Sequence, residues 1–299
     1  MPSHTGPGPA PARLAVGVVS AGRVGTALGQ AWEAAGHLVV ATSAISDASI
    51  RRAADRLPDA QLLAPDEVAA RADLLVLAVP DDALAGLVGG LAATGSVRPG
   101  QIVVHTAGAR GVRVLDPLTG LGALPLALHP AMTFLGRAED TARLASCCFG
   151  ITAADDAGWA VAEALVLEVG AEAVRIAEAD RPTYHAALAH GANHLVTLVC
   201  DAVQALRAVT ATAVPVERLL APLLSAALDN ALRHGDHALT GPVARGDADA
   251  VAVHLRVLTE VDPDLGATYR ALARRSAQRG QAAGLIPPDA AREVLAELA

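Results

Sequence analysis

Two stretches of the chain combine residue types and spacing that suit chemistry. The first is Ser20-Ala21-Gly22-Arg23-Val24-Gly25, which follows the apolar run LAVGVVS and opens an amphipathic segment. It keeps the second and third glycines of a G-x-G-x-x-G turn and puts serine in the first place. In such a turn the second glycine lets the backbone approach a pyrophosphate, and the third lets the helix pack close to the strand. The helix N-terminus then offers free N–H groups and a favourable dipole to a phosphate. Ser20 can still make the turn, and its hydroxyl is one more donor for a phosphate oxygen. The second stretch runs from Tyr184 to Leu198, alanine- and leucine-rich, and carries His185, His190, Asn193 and His194. At about 100° per residue, His185 lies roughly 80° from Asn193 around a helix, His190 roughly 60° and His194 roughly 100°. Two histidines therefore share a broad face with one amide, a set able to donate a proton and orient a polar oxygen.

Other residues extend the first stretch. An acidic residue at the end of the second strand would hold the ribose 2′-hydroxyl of NAD, whereas basic and hydroxyl residues suit the 2′-phosphate of NADP. In ATSAISDASIRRAA that place holds Ser43 and Ser46, followed by Arg51 and Arg52. This favours NADP over NAD, although the arginines also fit a solvated helix face and Asp47 fits a helix cap. His105 and His129 stand at the ends of later strands. Arg245, in LTGPVARGD, precedes a helix that Asp247 can cap; it is a candidate for binding a substrate carboxylate, or simply part of an interhelical loop.

The composition narrows the partner. A chain of 299 residues, 53 % hydrophobic and 18 % charged, has the length and apolar content for two domains with their own cores. A net charge of −8 with no arginine run, and only 2 % aromatic residues, excludes a nucleic-acid footprint. The expected partner is a small molecule. All 23 basic residues are arginine, so no mechanism that needs a lysine is open to the chain. Cys147, Cys148 and Cys200 lack metal-ligand spacing, and no metal is expected; they read as structural thiols in a reducing compartment. No apolar run reaches the roughly 18 residues that span a bilayer, and the start has no apolar leader core, so a cytoplasmic protein is expected.

The elements that must position these residues follow from the hydrophobic pattern. From Leu14, short apolar runs alternate with helical segments, as in a parallel sheet with crossover helices. Strands are expected at LAVGVVS, HLVVATSA, ADLLVLAVP, GQIVVHTAG, GALPLALHPAMTF, SCCFGITAA and AEAVRI, with helices from Val24 to Ala35 and from about Ala157. After Ala179 the pattern turns helical: Tyr184 to Leu206, Val216 to Arg233, Asp247 to Thr259 and Pro263 to Ala283. The organisation expected is a disordered tail over 1–12, a doubly wound α/β domain over 13–179, and an all-helical domain over 180–299.

Six motifs in order, GRVGTAL, ADLLVLAVPDDAL, HTAGARG, LHPAMTF, YHAALAHGANHL and LTGPVARGDADAVAVHL, resemble one family. It is the Rossmann-like proteins with a C-terminal helical domain of unknown function (domain of unknown function 2520). They are akin to ketopantoate reductases, pyrroline-carboxylate reductases and the 6-phosphogluconate-dehydrogenase-like group. The resemblance implies that Val79, Pro80, Thr106, Ala107, Gly108 and His129-Pro130 wall the nicotinamide side, with the Tyr184–Leu198 helix opposite. It also implies His185 as proton donor, with Asn193 orienting the substrate oxygen, His190 as the rival donor, and His129 or His105 as further candidates. Many relatives place a lysine one turn before the asparagine; here that position is Ala189. The expected activity is NADP-dependent reduction of a small keto acid, ketopantoate first. The alternatives are imine or pyrroline-carboxylate reduction, hydride exchange with a deazaflavin, or an NADP-binding sensor or scaffold without turnover. A homodimer through the helical domain is expected.

Overall fold

The computed structural model describes residues 13–210 and 215–299. The proline- and glycine-rich tail expected over 1–12 lies outside the described residues. Contacts divide the chain into two compact units, Met1–His190 and Gly191–Ala299, the division falling inside a long helix.

The first unit is an eight-stranded sheet with helices. In chain order its elements are β1 (Ala15–Val19), α1 (Arg23–Ala34), β2 (Leu38–Thr42), α2 (Asp47–Arg56), β3 (Gln61–Leu62), α3 (Pro65–Arg71), β4 (Leu74–Leu77), α4 (Asp81–Thr94), β5 (Ile102–His105), α5 (Asp116–Thr119), β6 (Leu124–Pro130), α6 (Glu139–Leu144), β7 (Cys148–Ala153), α7 (Asp156–Glu168) and β8 (Glu172–Arg175). The strand order is β3-β2-β1-β4-β5-β6-β7-β8. β1 therefore lies between β2 and β4, which puts the reversal of strand order, where a crevice opens at the carboxyl ends, beside the Ser20 turn.

Unbroken apolar runs make the central strands, because helices cover both faces. Every residue of β4, LLVL, is buried. α1 turns Ala27, Leu28, Ala31 and Trp32 inward, and the Trp32 indole N–H donates to the Leu165 carbonyl at 3.1 Å. Gly17 in β1 lets α3 approach: a Cβ there would lie 2.8 Å from Val68 Cγ1 and 2.9 Å from Ala72 Cβ. Ser46, not Asp47, caps α2, its hydroxyl accepting from the Ser49 N–H at 3.2 Å.

The sheet is not parallel throughout. β6 and β7 pair antiparallel, while β8 runs parallel to β7. The β6–β7 connection, with only the short α6, stays at one edge of the sheet and the chain returns in the opposite sense. The β7–β8 connection carries the full crossover helix α7 and restores the direction. This places Gly150 of β7 directly across from His129 of β6.

α8 (Arg181–Val209) begins in the first unit and ends in the second. The second unit continues with α9 (Glu217–His234), α10 (Gly241–Arg245), α11 (Ala248–Val261), α12 (Pro263–Ala282) and α13 (Pro288–Glu297). Its core is small: Val251, Ala273, Ala277, Val294 and Leu298. The segment read as a turn, LTGPVARGD, contains the helix α10, closed by Gly246 in the left-handed conformation, and Asp247 does cap α11 by accepting from the Ala250 N–H at 3.1 Å. Among the described residues no helix is long and apolar enough to cross a membrane.

Candidate active site

The glycine-rich turn is built as its residue types require. Ser20, in the place of the first glycine, has φ +80°, and among the described residues it alone of the non-glycines has a positive φ. Serine in that region is strained, by about 1–3 kcal/mol, so the surroundings must hold it there. Ser43 does so. Its hydroxyl accepts from the Ser20 N–H at 3.0 Å, and its carbonyl accepts from the Ala21 N–H at 2.7 Å. Ser43 is thus a buried brace of the turn.

The two remaining glycines do different work. A Cβ on Gly25 would collide with the Ser20 carbonyl oxygen and stand 2.9 Å from Val18 Cγ1, so Gly25 sets how closely α1 packs on β1. A Cβ on Gly22 would meet only the Ser20 hydroxyl, at 3.4 Å, and would stand in open space. Gly22 is the N-cap of α1, with extended backbone, no side-chain cap and no acidic residue in the first turn.

That space is a cleft of ≈ 1070 Å³ at the carboxyl ends of β1, β2 and β4. Ser20, Gly22, Arg23, Ser43, Val79 and Pro80 line it, as does Arg52, one turn into α2. Arg52 donates to the Ala21 carbonyl at 3.2 Å and Arg23 to the Phe134 carbonyl at 3.3 Å. Arg51 is exposed and outside this lining. Ala21 is fully buried and Val24 partly so.

A second group of residues gathers further along the same edge. Thr106, Ala107 and Gly108 follow β5 and are buried. The His129 Nδ1 lies 2.9 Å from the Tyr184 hydroxyl, and the two rings meet edge to face. His129 also meets His185 edge to face, with centroids 5.8 Å apart. Glycine makes the room. A Cβ on Gly108 would collide with His185 and stand 2.9 Å from His129 Nε2, and one on Gly150 would collide with the Tyr184 hydroxyl. Burial holds His129 down at about 4, with the neighbouring His185 and the Arg181 cation adding to the effect. His105 is buried deeper, its Nε2 2.9 Å from the Gly111 carbonyl, and desolvation likewise lowers it to about 4. Both imidazoles are neutral at pH 7.

The structure thus brings together Gly108, His129 and His185 from the residues singled out by sequence. It adds Arg181, which no motif marks, and gives a part to Tyr184, the first residue of the YHAALAHGANHL motif. The available signal was that Tyr184, one of only two tyrosines, directly precedes His185. His190, the last residue of the first unit, is exposed. Asn193 and Arg245 belong to the second unit and are exposed there, Arg245 ending α10. Among the described residues no group of three or more His, Cys, Asp or Glu is placed to hold a metal ion.

Comparison with known proteins agrees with this architecture. Residues 2–130 match the Rossmann-like domain, and residues 147–276 match a domain of unknown function, DUF2520. The chain joins a Rossmann-like domain to a DUF2520 domain. No curated protein sequence matches it significantly. Among solved structures, a candidate NADP oxidoreductase of Bacteroides fragilis superposes with a TM-score of 0.74 at 22 % identity, covering 88 % of this chain and 98 % of that one. A reductive aminase from Aspergillus terreus, solved with NADPH and ethyl-5-oxohexanoate, gives 0.63 at 17 % identity, covering 90 % and 95 %. A pyrroline-5-carboxylate reductase of Coxiella burnetii gives 0.55 at 15 %, covering 90 % and 99 %. At these identities the likeness is one of fold.

Proposed function

We propose that this Rossmann-like, DUF2520 chain is an NADP-dependent reductase of a small carbonyl or imine compound. The observation that carries the reading is the Gly22 cradle. An uncapped helix N-terminus faces a cleft at the reversal of strand order, and a Cβ would enter the space a pyrophosphate needs. NADP is preferred to NAD because the cleft beyond β2 is lined by Ser46, Ser49 and Arg52, which suit a 2′-phosphate. The fold neighbours that carry NADPH or are described as NADP oxidoreductases point the same way.

A bound nicotinamide would supply hydride; the chain supplies the rest. The N–H groups opening α1 bind phosphate, and Ser43 holds the turn in place. Val79, Pro80 and the Thr106–Gly108 segment exclude water beside the ring position. The proton for the substrate heteroatom comes from the cluster of His129, Tyr184 and His185. Ketopantoate and related keto acids are the first substrates to try. Cyclic imines come next, since the fold neighbours include a reductive aminase and a pyrroline-carboxylate reductase.

A homodimer through the helical unit belongs to the same reading. No residue of α9 is buried, and Leu223 and Leu232 on it are 64 % and 80 % exposed. Apolar exposure on this scale suits a surface covered by a second copy. Sedimentation should give a dimer, and Leu223→Asp with Leu232→Asp should give a monomer.

The direct test is fluorescence titration with NADPH and NADH, followed by NADPH oxidation over keto acids, ketones and cyclic imines. NADPH binding with turnover on one class is expected. Binding without turnover on any class supports a sensor instead, and absence of nucleotide binding overturns the reading.

A further inference from the structure

Arg181, the first residue of α8, is completely buried. Its Nε donates to Thr152 Oγ1 at 2.7 Å, and Nη2 donates to the Ala127 and Gly150 carbonyls at 3.0 and 2.9 Å. Nη1 is buried with no partner. Every acceptor is neutral, and among the described residues no carboxylate forms an ion pair with it. Glu178, an acid whose charge acts on it, is engaged by the backbone N–H groups of Val112 and Arg113 at 2.8 and 3.4 Å. A guanidinium keeps its proton even when buried. An uncompensated buried cation is costly, and it favours any anion that forms beside it.

The ionisable group beside it is the Tyr184 phenol. The Arg181 guanidinium carbon lies 5.7 Å from the Tyr184 ring centre, and the hydroxyl lies 2.9 Å from His129 Nδ1. Gly150 leaves the space in which the hydroxyl sits. Burial raises the phenol while Arg181 pulls it back down, so it is protonated at neutral pH yet has a cation ready for its anion. His129 and His105, near 4, are neutral imidazoles there and not imidazolium acids.

We propose that Tyr184 is the catalytic acid of the reduction, that His129 positions its hydroxyl, and that Arg181 stabilises the phenolate left after proton transfer. This rests on the reductase reading above. The substrate C=O or C=N carbon gains a hydride from the reduced nicotinamide dinucleotide, and its π pair becomes a lone pair on the heteroatom. That heteroatom takes the Tyr184 proton: the phenolic O–H bond breaks and the new O–H or N–H bond forms. With Nδ1 protonated, His129 donates to the phenol oxygen and leaves the phenolic hydrogen free for the substrate. Water then reprotonates the phenolate, with His185 beside His129 on the route.

Three measurements test this. Tyr184→Phe should lower turnover roughly 10²–10⁴-fold and leave NADPH affinity within about threefold, since the phenol acts on the transition state; unchanged turnover overturns the proposal. Because the chain has only two tyrosines, growth of the Tyr269→Phe protein on fluorinated tyrosine places the label at Tyr184 alone. The alkaline limb of the turnover profile should then move to lower pH as the phenol becomes more acidic, and a fixed limb overturns the proposal. Fluorine NMR of that protein reads the phenol directly with no nucleotide present. Arg181→Met should raise its titration, because it removes the cation that favours the phenolate, while Arg181→Lys should hold it nearly in place. No shift overturns the role of Arg181, and if Arg181→Met does not fold, the first two measurements decide. The NMR arm needs neither cofactor nor substrate, so failure of the reductase reading and failure of this one remain distinct.

Discussion

The Gly22→Val substitution separates fold from binding at the glycine-rich turn. Gly22 has φ −72° and ψ −172°, a conformation open to any residue, and its Cβ position meets only the Ser20 hydroxyl at 3.4 Å. The variant should therefore fold, with a melting temperature close to that of the parent. The valine branches would occupy the approach to the α1 N-terminus and remove the phosphate from its N–H donors. Hydrogen bonds to a charged group contribute about 1.5–3 kcal/mol each, so losing two weakens NADPH binding by roughly 10²–10⁴-fold at about 1.4 kcal/mol per tenfold. Gly25→Val is the contrast, because its Cβ collides with the Ser20 carbonyl and crowds Val18; it should lose stability outright. Fluorescence titration with NADPH, beside near-ultraviolet circular dichroism and thermal melts, gives both readouts. A folded Gly22→Val protein that binds NADPH with near-parental affinity would refute the placement of the pyrophosphate.

Arg52→Ala should weaken NADPH roughly 10–100-fold, the loss of one charge-assisted contact, and leave NADH unchanged, whereas Arg51→Ala, outside the cleft lining, should change neither; equal effects on both nucleotides would count against NADP. His105 and His129 have folded-state values near 4, below the usual 6.5 that the unfolded chain retains. The unfolded chain thus binds protons that the folded one refuses. Stability is full above about pH 6.5 and falls as the pH drops toward 4, by roughly 2 kcal/mol for each histidine between pH 7 and 5; a urea midpoint that stays flat across that window contradicts their burial as neutral rings. Gly150→Ala should push Tyr184 from His129 and cost about 1–3 kcal/mol by overpacking, with turnover falling more than NADPH affinity; unchanged turnover would detach Gly150 from the site.

The sequence alone determined the elements whose cause is local. Short apolar runs such as LLVL at 74–77, with Asp73 before and Pro80 soon after, read as strands buried on both faces, and Val24–Ala35 has the periodicity of a helix packed on them. The Ser20–Gly25 turn was legible because it joins one strand to the helix that follows it, where Gly25 is required by its contacts with Ser20 and Val18, and Asp247 because a cap acts on its own helix. What only the tertiary structure decided depends on residues distant in sequence. Ser43 serves as a brace because β2 lies beside β1, and Arg52, not Arg51, lines the cleft because of how α2 rotates onto it. The antiparallel turn from β6 to β7 places Gly150 opposite His129, and from that pairing follows the pocket that seats Tyr184. Tyr184 opens the YHAALAHGANHL motif, but neither its chemistry nor that of Arg181 is legible there, because both are set by burial and by neighbours such as His129 and Thr152. Periodicity records which face of an element is apolar; the field at a buried phenol depends on charges that folding alone brings near.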